Sequence, residues 1–186
     1  MGTIKTTNIE PIADNGTVTL GSSGDTFTLG SGVLQSNMMY PAFAAKMSSN
    51  QNLADTTDTK LNFNTEIIDT DGAYDHSTNY RFTVPSGKAG KYIFSLQALM
   101  RSSSVSNLNY AALKIFKNGS QLLTGMHNNN SNLGYGATPH VIVMDDASAG
   151  DYYEPYGHGY SASTQIVIDT TDQGGCAHFN GYRIGS

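Results

Sequence analysis

Short runs in which apolar and polar residues alternate fill most of the 186-residue sequence. Such runs place apolar side chains on one face of an extended chain and polar side chains on the other. Turn pairs such as Asp71-Gly72 and Asn118-Gly119 separate the runs. The pattern predicts about ten short strands and no helix, so we expect an all-β antiparallel sandwich or jelly roll over residues 37–186. The predicted strands occupy residues 41–48, 60–63, 66–68, 80–85, 91–101, 110–119, 121–126, 137–144, 151–157, 164–169 and 176–184.

A shorter pattern repeats near the amino terminus. The segments 17–20 and 26–29 both alternate Thr with an apolar residue, and Gly and Ser separate them. Two four-residue strands cannot bury an apolar face alone. We therefore expect their apolar residues to pack against the head or against sister chains: Val18, Leu20, Phe27 and Leu29. Residues 17–36 are interpreted as a short stem and residues 1–16 as an anchoring arm. A flexible Gly/Ser linker is the alternative.

Composition and charge exclude several classes of function. Ten Lys and Arg residues are scattered singly in a chain of net charge −5, so there is no basic stripe for nucleic acid. The single cysteine excludes an intrachain disulfide. No apolar run approaches the length of a membrane span, so no membrane insertion is expected.

The sequence offers little catalytic chemistry. Its five histidines show no metal-site spacing, and neither a nucleophile elbow nor a phosphate loop is present. Asp145, Asp146, Asp151 and Glu154 form the notable acidic group, for which solvated turns, a calcium site and paired catalytic carboxylates are the alternatives. The segment 69–75 has a similar acidic character. We expect a protein that is not an enzyme and has no cofactor, with calcium as an option that no specific motif supports.

Two segments have the composition of recognition loops. Residues 127–136 and 154–163 are rich in Asn, Tyr, Gly, Ser and His. Tyr supplies stiff amphipathic contact area, while the small polar residues supply adaptable hydrogen bonds. Polar loops and sheet-packed tyrosines would have the same composition without any ligand. The candidate contacts to a cell-surface glycan or protein are Tyr135, Tyr156, His158 and Tyr160.

Motifs along residues 40–185 resemble the globular head of the C1q/TNF family. In order, they are "PAFAA" (41–45), "LNF" (61–63), "YD" (74–75), "TNYRFTVP" (78–85), "GKYIF" (90–94), "KNG" (117–119), "GDYY" (150–153) and "FNGYRI" (179–184). The resemblance implies a ten-stranded jelly roll that forms a homotrimer. The turn at Tyr80 and the segment 86–90 depart from the family pattern. We expect the head core to contain Phe43, Phe63, Phe82, Tyr92, Phe94, Phe179 and Tyr182.

The first 30 residues are similar to the openings of tail-fibre-like and virion-surface proteins of phages. With the head, this similarity implies a homotrimeric virion structural protein, assembled in the host cytoplasm and displayed on the particle surface. It would be a capsid decoration, a head fibre or a short tail fibre, with its arm bound to other virion proteins. A receptor-binding adhesin is the first alternative and a glycan depolymerase the second.

Overall fold

A computed structural model describes residues 41–103, 107–129, 134–162, 165–171 and 177–185, together with residues 9, 19 and 21. The chain divides into two units, Met1–Ser36 and Asn37–Ser186. The predicted stem residues Val18, Leu20, Phe27 and Leu29 lie outside the described residues. The arm and the stem therefore stay predictions, and the structural account concerns the second unit.

Fifteen strands make up the regular structure of the described residues. They are β1 (Ala42–Lys46), β2 (Gln51–Leu53), β3 (Thr59–Lys60), β4 (Thr65–Asp69), β5 (Tyr74–Asp75), β6 (Arg81–Thr83), β7 (Gly90–Gln97), β8 (Leu99–Ser102), β9 (Leu108–Lys117), β10 (Ser120–Asn128), β11 (Gly136–Ala137), β12 (His140–Ala147), β13 (Tyr152–Ser161), β14 (Ile166–Asp169) and β15 (His178–Gly185). The all-β prediction is confirmed. Within the described ranges, no helix has the length and apolarity needed to cross a bilayer.

The strands form three antiparallel sheets. One has five strands in the order β12-β7-β15-β1-β4, and a second has six, with the order β10-β9-β13-β6-β5 and β3 attached to β13. A four-stranded sheet, β11-β8-β14-β2, continues the five-stranded one because β7 leads directly into β8. The break at Ala98 divides what the sequence presents as one run, 91–101. The six-stranded sheet covers both others, since β13 packs Tyr153 on Phe94 and Gly159 close to Ile166.

A two-residue hairpin turn sets the register of β9 and β10. Asn118 and Gly119 have φ values of 53° and 79°, and Lys117 pairs with Ser120 across the turn. Positive φ at both central residues is the type I′ geometry that Asn-Gly favours, because its twist matches that of the strands. The Asn118 side chain also accepts a hydrogen bond from the backbone N–H of Tyr152 at 2.9 Å. The hairpin predicted at this position is present.

A cluster of aromatic rings forms the centre of the core. Phe43 stacks on Phe82 with ring centroids 4.8 Å apart, and Phe94 stacks on Tyr153 at 3.9 Å. Full burial of one such side chain contributes roughly 1.5–3 kcal/mol. Six of the seven rings assigned to the core from the sequence are buried: Phe43, Phe63, Phe82, Tyr92, Phe94 and Phe179.

Tyr182 is the exception, and its assignment to the core is wrong. Its side chain is 44% exposed. Alternation along β15 explains this, because Phe179 and Gly181 point inward and the next residue must point outward. Gly181 holds the core position without a side chain. A Cβ there would lie 2.5 Å from a ring carbon of Phe94 and 2.7 Å from one of Phe43.

Candidate interaction surfaces

The outer face of the five-stranded sheet carries large apolar side chains that contact solvent. We call this surface the apolar face and define it by Ile68, Ile93, Ile142, Met144 and Tyr182. Met144 is 70% exposed and Ile142 is 54% exposed. Isolated exposed hydrophobic residues are ordinary, but a contiguous apolar patch marks a site of association.

Strand register brings these side chains together in two adjacent rows. One row runs Met144, Ile93, Tyr182 and Ala42 across four strands. The next runs Ile142, Ser95, Asn180, Ala44 and Ile68 across all five. A depression of about 200 Å³ lies between the rows, over Gly181. The two rows therefore form a continuous apolar surface with two polar side chains near its middle.

A third row forms the polar boundary of this face. His140, Gln97, His178 and Lys46 follow one another in register. The hydroxyl of Ser95 and Nε2 of His140 are 2.9 Å apart, so this hydrogen bond links the boundary to the second apolar row. The outer face of the sheet thus changes from apolar to polar between two successive rows of outward side chains.

β12 is apolar on both of its faces. Val141 is buried and Val143 packs against the core, while Ile142 and Met144 between and after them point outward. A strand with a continuous apolar run is typical of a sheet that is covered on both sides. The sequence "VIVM" was therefore an available signal for a strand that is apolar on both faces.

The opposite edge of the same sheet is apolar as well. β4 is the edge strand, and Ile67 and Ile68 are both 52% exposed. The pairing of β1 with β4 shifts register between Ala44 and Ala45 and leaves Ile67 without a partner residue. Such a bulge re-aims side chains at an edge. An exposed apolar edge strand is a liability unless another chain covers it.

A second surface lies on the outer face of the six-stranded sheet, on the far side of the core. Alternate residues of β13 line it, and Tyr110 and Phe116 of β9 extend it. We call it the aromatic stripe, formed by Tyr110, Phe116, Tyr152, Tyr156, His158 and Tyr160. Tyr110 stacks on His158 with ring centroids 5.7 Å apart, and Phe116 lies 4.2 Å from Tyr156.

Ion pairs fix the polar groups of the stripe. Asp58 lies 2.6 Å from Lys114 Nζ and 2.6 Å from His158 Nδ1. A carboxylate only accepts, so Nδ1–H of His158 donates to it, and Nε2 of the same ring is hydrogen-bonded to the Tyr110 hydroxyl at 2.9 Å. Burial alone would raise the pKa of Asp58, but the bonds from Lys114 and His158 lower it. Burial raises the pKa of Tyr110, so its phenol stays protonated.

The structure brings three of the four predicted receptor contacts together. Tyr156, His158 and Tyr160 lie on one face of β13, so the interpretation of residues 154–163 as a loop is wrong. The alternation Tyr-Glu-Tyr-His-Tyr over 152–160 was the signal for a strand. Tyr135 lies elsewhere, beside the four-stranded sheet, with its ring 5.6 Å from the Arg101 guanidinium. Residues 130–133 of the other predicted loop are outside the described residues.

The acidic group around Asp145 takes part in structural contacts. Asp145 accepts a hydrogen bond of 2.5 Å from the Tyr153 hydroxyl and lies 2.7 Å from Lys117 Nζ. The same ammonium is 3.1 Å from Asp151. Burial alone would lower the pKa of Lys117, but the hydrogen bonds to Asp145 and Asp151 outweigh it and raise the pKa. Glu154 pairs with Lys60 at 2.6 Å.

The carboxylates of the segment 69–75 bond to their own loops. Asp69 accepts hydrogen bonds from the backbone N–H groups of Asp71, Ala73 and Tyr74. Asp75 accepts from those of Ser77, Thr78 and Asn79. Among the described residues, no group of three or more His, Cys, Asp or Glu side chains is placed to hold a metal ion.

Comparison with known proteins identifies the fold. No protein-family model and no curated protein matches the sequence. The globular domain of the zebrafish complement 1qA protein superposes with a TM-score of 0.55 at 16% identity, covering 78% of this chain and 98% of that one. The Eiger TNF of S. frugiperda gives 0.53 at 8% identity, covering 78% and 91%. The second unit therefore has the C1q/TNF-like jelly-roll fold, which the sequence motifs predicted.

Proposed function

We propose that this chain is a non-enzymatic, homotrimeric structural protein of a phage virion, with a C1q/TNF-like head displayed on the particle surface. The observation that supports self-association is the apolar face, because its side chains are exposed to solvent in a single copy of the chain. Burying apolar surface contributes roughly 25 cal/mol per Å². The occupant that we assign to the apolar face is a second copy of the same chain.

The placement of the exposed side chains favours a closed ring of copies. Ile142 and Met144 lie on edge strand β12, whereas Ile67 and Ile68 lie on the opposite edge strand, β4. One repeated contact, in which the β12 edge of one copy packs on the β15–β4 side of the next, covers both regions in every copy. A contact between two different patches generates a ring when its rotation closes. Three copies is the number that the C1q/TNF resemblance implies.

The non-enzymatic part of the proposal is supported by the uses of the acidic side chains. Asp145 and Asp151 share Lys117, and Glu154 pairs with Lys60. Paired catalytic carboxylates need a separation and a solvent exposure suited to a substrate between them. These carboxylates instead hold strands and turns together.

The virion assignment is supported by the amino-terminal similarity to tail-fibre-like and virion-surface proteins. In this proposal the arm, residues 1–16, binds other virion proteins. Deletion of residues 1–16 should leave a folded head that no longer joins the particle, and cryo-electron microscopy of the particle would show the density missing. A truncated chain that still incorporates would contradict the anchoring role.

Self-association is tested by placing a charge on the apolar face. Met144→Asp should convert a trimer into monomers in sedimentation velocity, because each contact would bury an unpaired carboxylate. Met126→Asp is the matched control, since Met126 is 62% exposed but lies on the six-stranded sheet. Its sedimentation should stay that of the parent. A parent chain that sediments as a stable monomer at micromolar concentration would refute the proposal.

Adhesion to a host-surface receptor is the second function, and the aromatic stripe is the observation that favours it. The stripe lies on the outer face of the other sheet, so it remains accessible when the apolar face is covered. Repetition of one weak site three times per trimer gains avidity without new contacts.

A further inference from the structure

We infer that the aromatic stripe is a binding platform for neutral saccharides, centred on Tyr110, Tyr156, His158 and Tyr160. The inference rests on the proposed adhesive function and names its ligand class. Three observations carry it: the arrangement of the rings, the pairing of charges beside the four central rings, and the fixed positions of the polar groups.

The rings form a pre-organised surface. Tyr160 and Tyr110 are directly opposite each other on β13 and β9, with ring centroids 6.5 Å apart. His158 stacks on Tyr110 with an angle of 19° between the ring planes. Each ring is held by its neighbour on a paired strand, so little conformational entropy is lost when a ligand binds. An aromatic ring offers an apolar body and a polar tip, which suits the C–H face and the hydroxyl rim of a sugar ring.

Two ion pairs lie beside the four central rings, while Arg81 stacks on Tyr152 at the end of the stripe. Asp58 is shared by Lys114 and His158, and Glu154 is paired with Lys60. Charges that are paired at 2.6 Å leave little field for an anionic or cationic ligand. Charge complementarity therefore selects an uncharged partner.

Fixed hydrogen-bonding groups give the platform its polarity. Asp58 orients the His158 ring, which in turn orients the Tyr110 hydroxyl. The raised pKa of Tyr110 keeps its phenol protonated, so its hydroxyl is a hydrogen-bonding group. A neutral ligand with many hydroxyl groups can both donate to and accept from such a surface.

Affinity gel electrophoresis of the full chain tests the inference. The gels contain dextran, yeast mannan, galactomannan or xylan as neutral probes, and alginate or hyaluronan as anionic ones. We expect at least one neutral polysaccharide to retard the protein and the anionic polysaccharides not to. Tyr160→Ala and Tyr156→Ala should each weaken that retardation about tenfold in apparent Kd, as loss of one aromatic contact predicts.

Leu123→Ala is the matched control, because Leu123 is 40% exposed and lies on β10, off the stripe. Its retardation should equal that of the parent. Retardation by no neutral probe, retardation by the anionic probes alone, or loss of binding in Leu123→Ala but not in Tyr160→Ala would each overturn the inference. Sedimentation velocity of every variant separates failure of the platform from failure of the trimer, because the stripe and the apolar face are on different sheets.

Discussion

Replacing Gly181 by alanine should destabilise the head by about 2–3 kcal/mol, at the upper end of the range for overpacking a core. The added Cβ would lie 2.5 and 2.8 Å from two ring carbons of Phe94 and 2.7 Å from one of Phe43. Neither ring has space to withdraw, since Phe94 stacks on Tyr153 and Phe43 stacks on Phe82. The cost is steric, because the backbone of Gly181 does not have a positive φ.

Thermal unfolding followed by circular dichroism measures the effect. For a chain of this size the Tm should fall by roughly 4–12 °C. All variants must be compared at one protomer concentration, because association adds to apparent stability. Gly185→Ala is the matched control on the same strand, since nothing lies within 4 Å of a Cβ at that position. A Tm of Gly181→Ala equal to that of Gly185→Ala would refute the packing argument.

Two further predictions concern the core and the acid side of the pH range. Phe94→Ala should cost about 3–5 kcal/mol in urea denaturation, because it removes a fully buried ring, and an unchanged midpoint would remove Phe94 from the core. The backbone N–H of Thr78 is the main group that lowers the pKa of Asp75 in the folded chain. The ionised Asp75 carboxylate therefore stabilises the fold fully above the unfolded pKa of about 3.9, and this stabilisation is lost as the pH falls below that value. The Tm of the parent should therefore drop more steeply between pH 5 and pH 3 than that of Asp75→Asn; parallel curves would contradict this.

The strands and the core could be predicted because alternation carries their signal in the sequence itself. Phe82 has polar neighbours on both sides, Tyr92 and Phe94 lie two residues apart, and all three are buried. Tyr182 was misassigned because Gly181 holds the inward position and contributes no apolar signal. The break at Ala98 could not be seen, because no Gly, Pro, Asn or Asp marks a turn within residues 91–101.

The candidate surfaces depend on pairings that local sequence does not encode. Asp58 and His158 are 100 residues apart and meet because β3, which directly follows Asp58, pairs with β13. The apolar face was hidden for a different reason: alternation identifies one buried side of a strand and does not say whether the other side is covered. The run "VIVM" in β12 indicated an apolar outer face, because its four apolar residues are consecutive and not alternating.

Core packing constrains the inward side of β13 much more than its outward side, so substitutions can be confined to the outward side. Tyr153, Gly157 and Gly159 point inward, where a Cβ on either glycine would meet a neighbour within 2.9 Å. Tyr156, His158 and Tyr160 point outward and are half-buried or exposed. Mutation can therefore diversify the outward residues and redirect recognition while the scaffold is inherited unchanged.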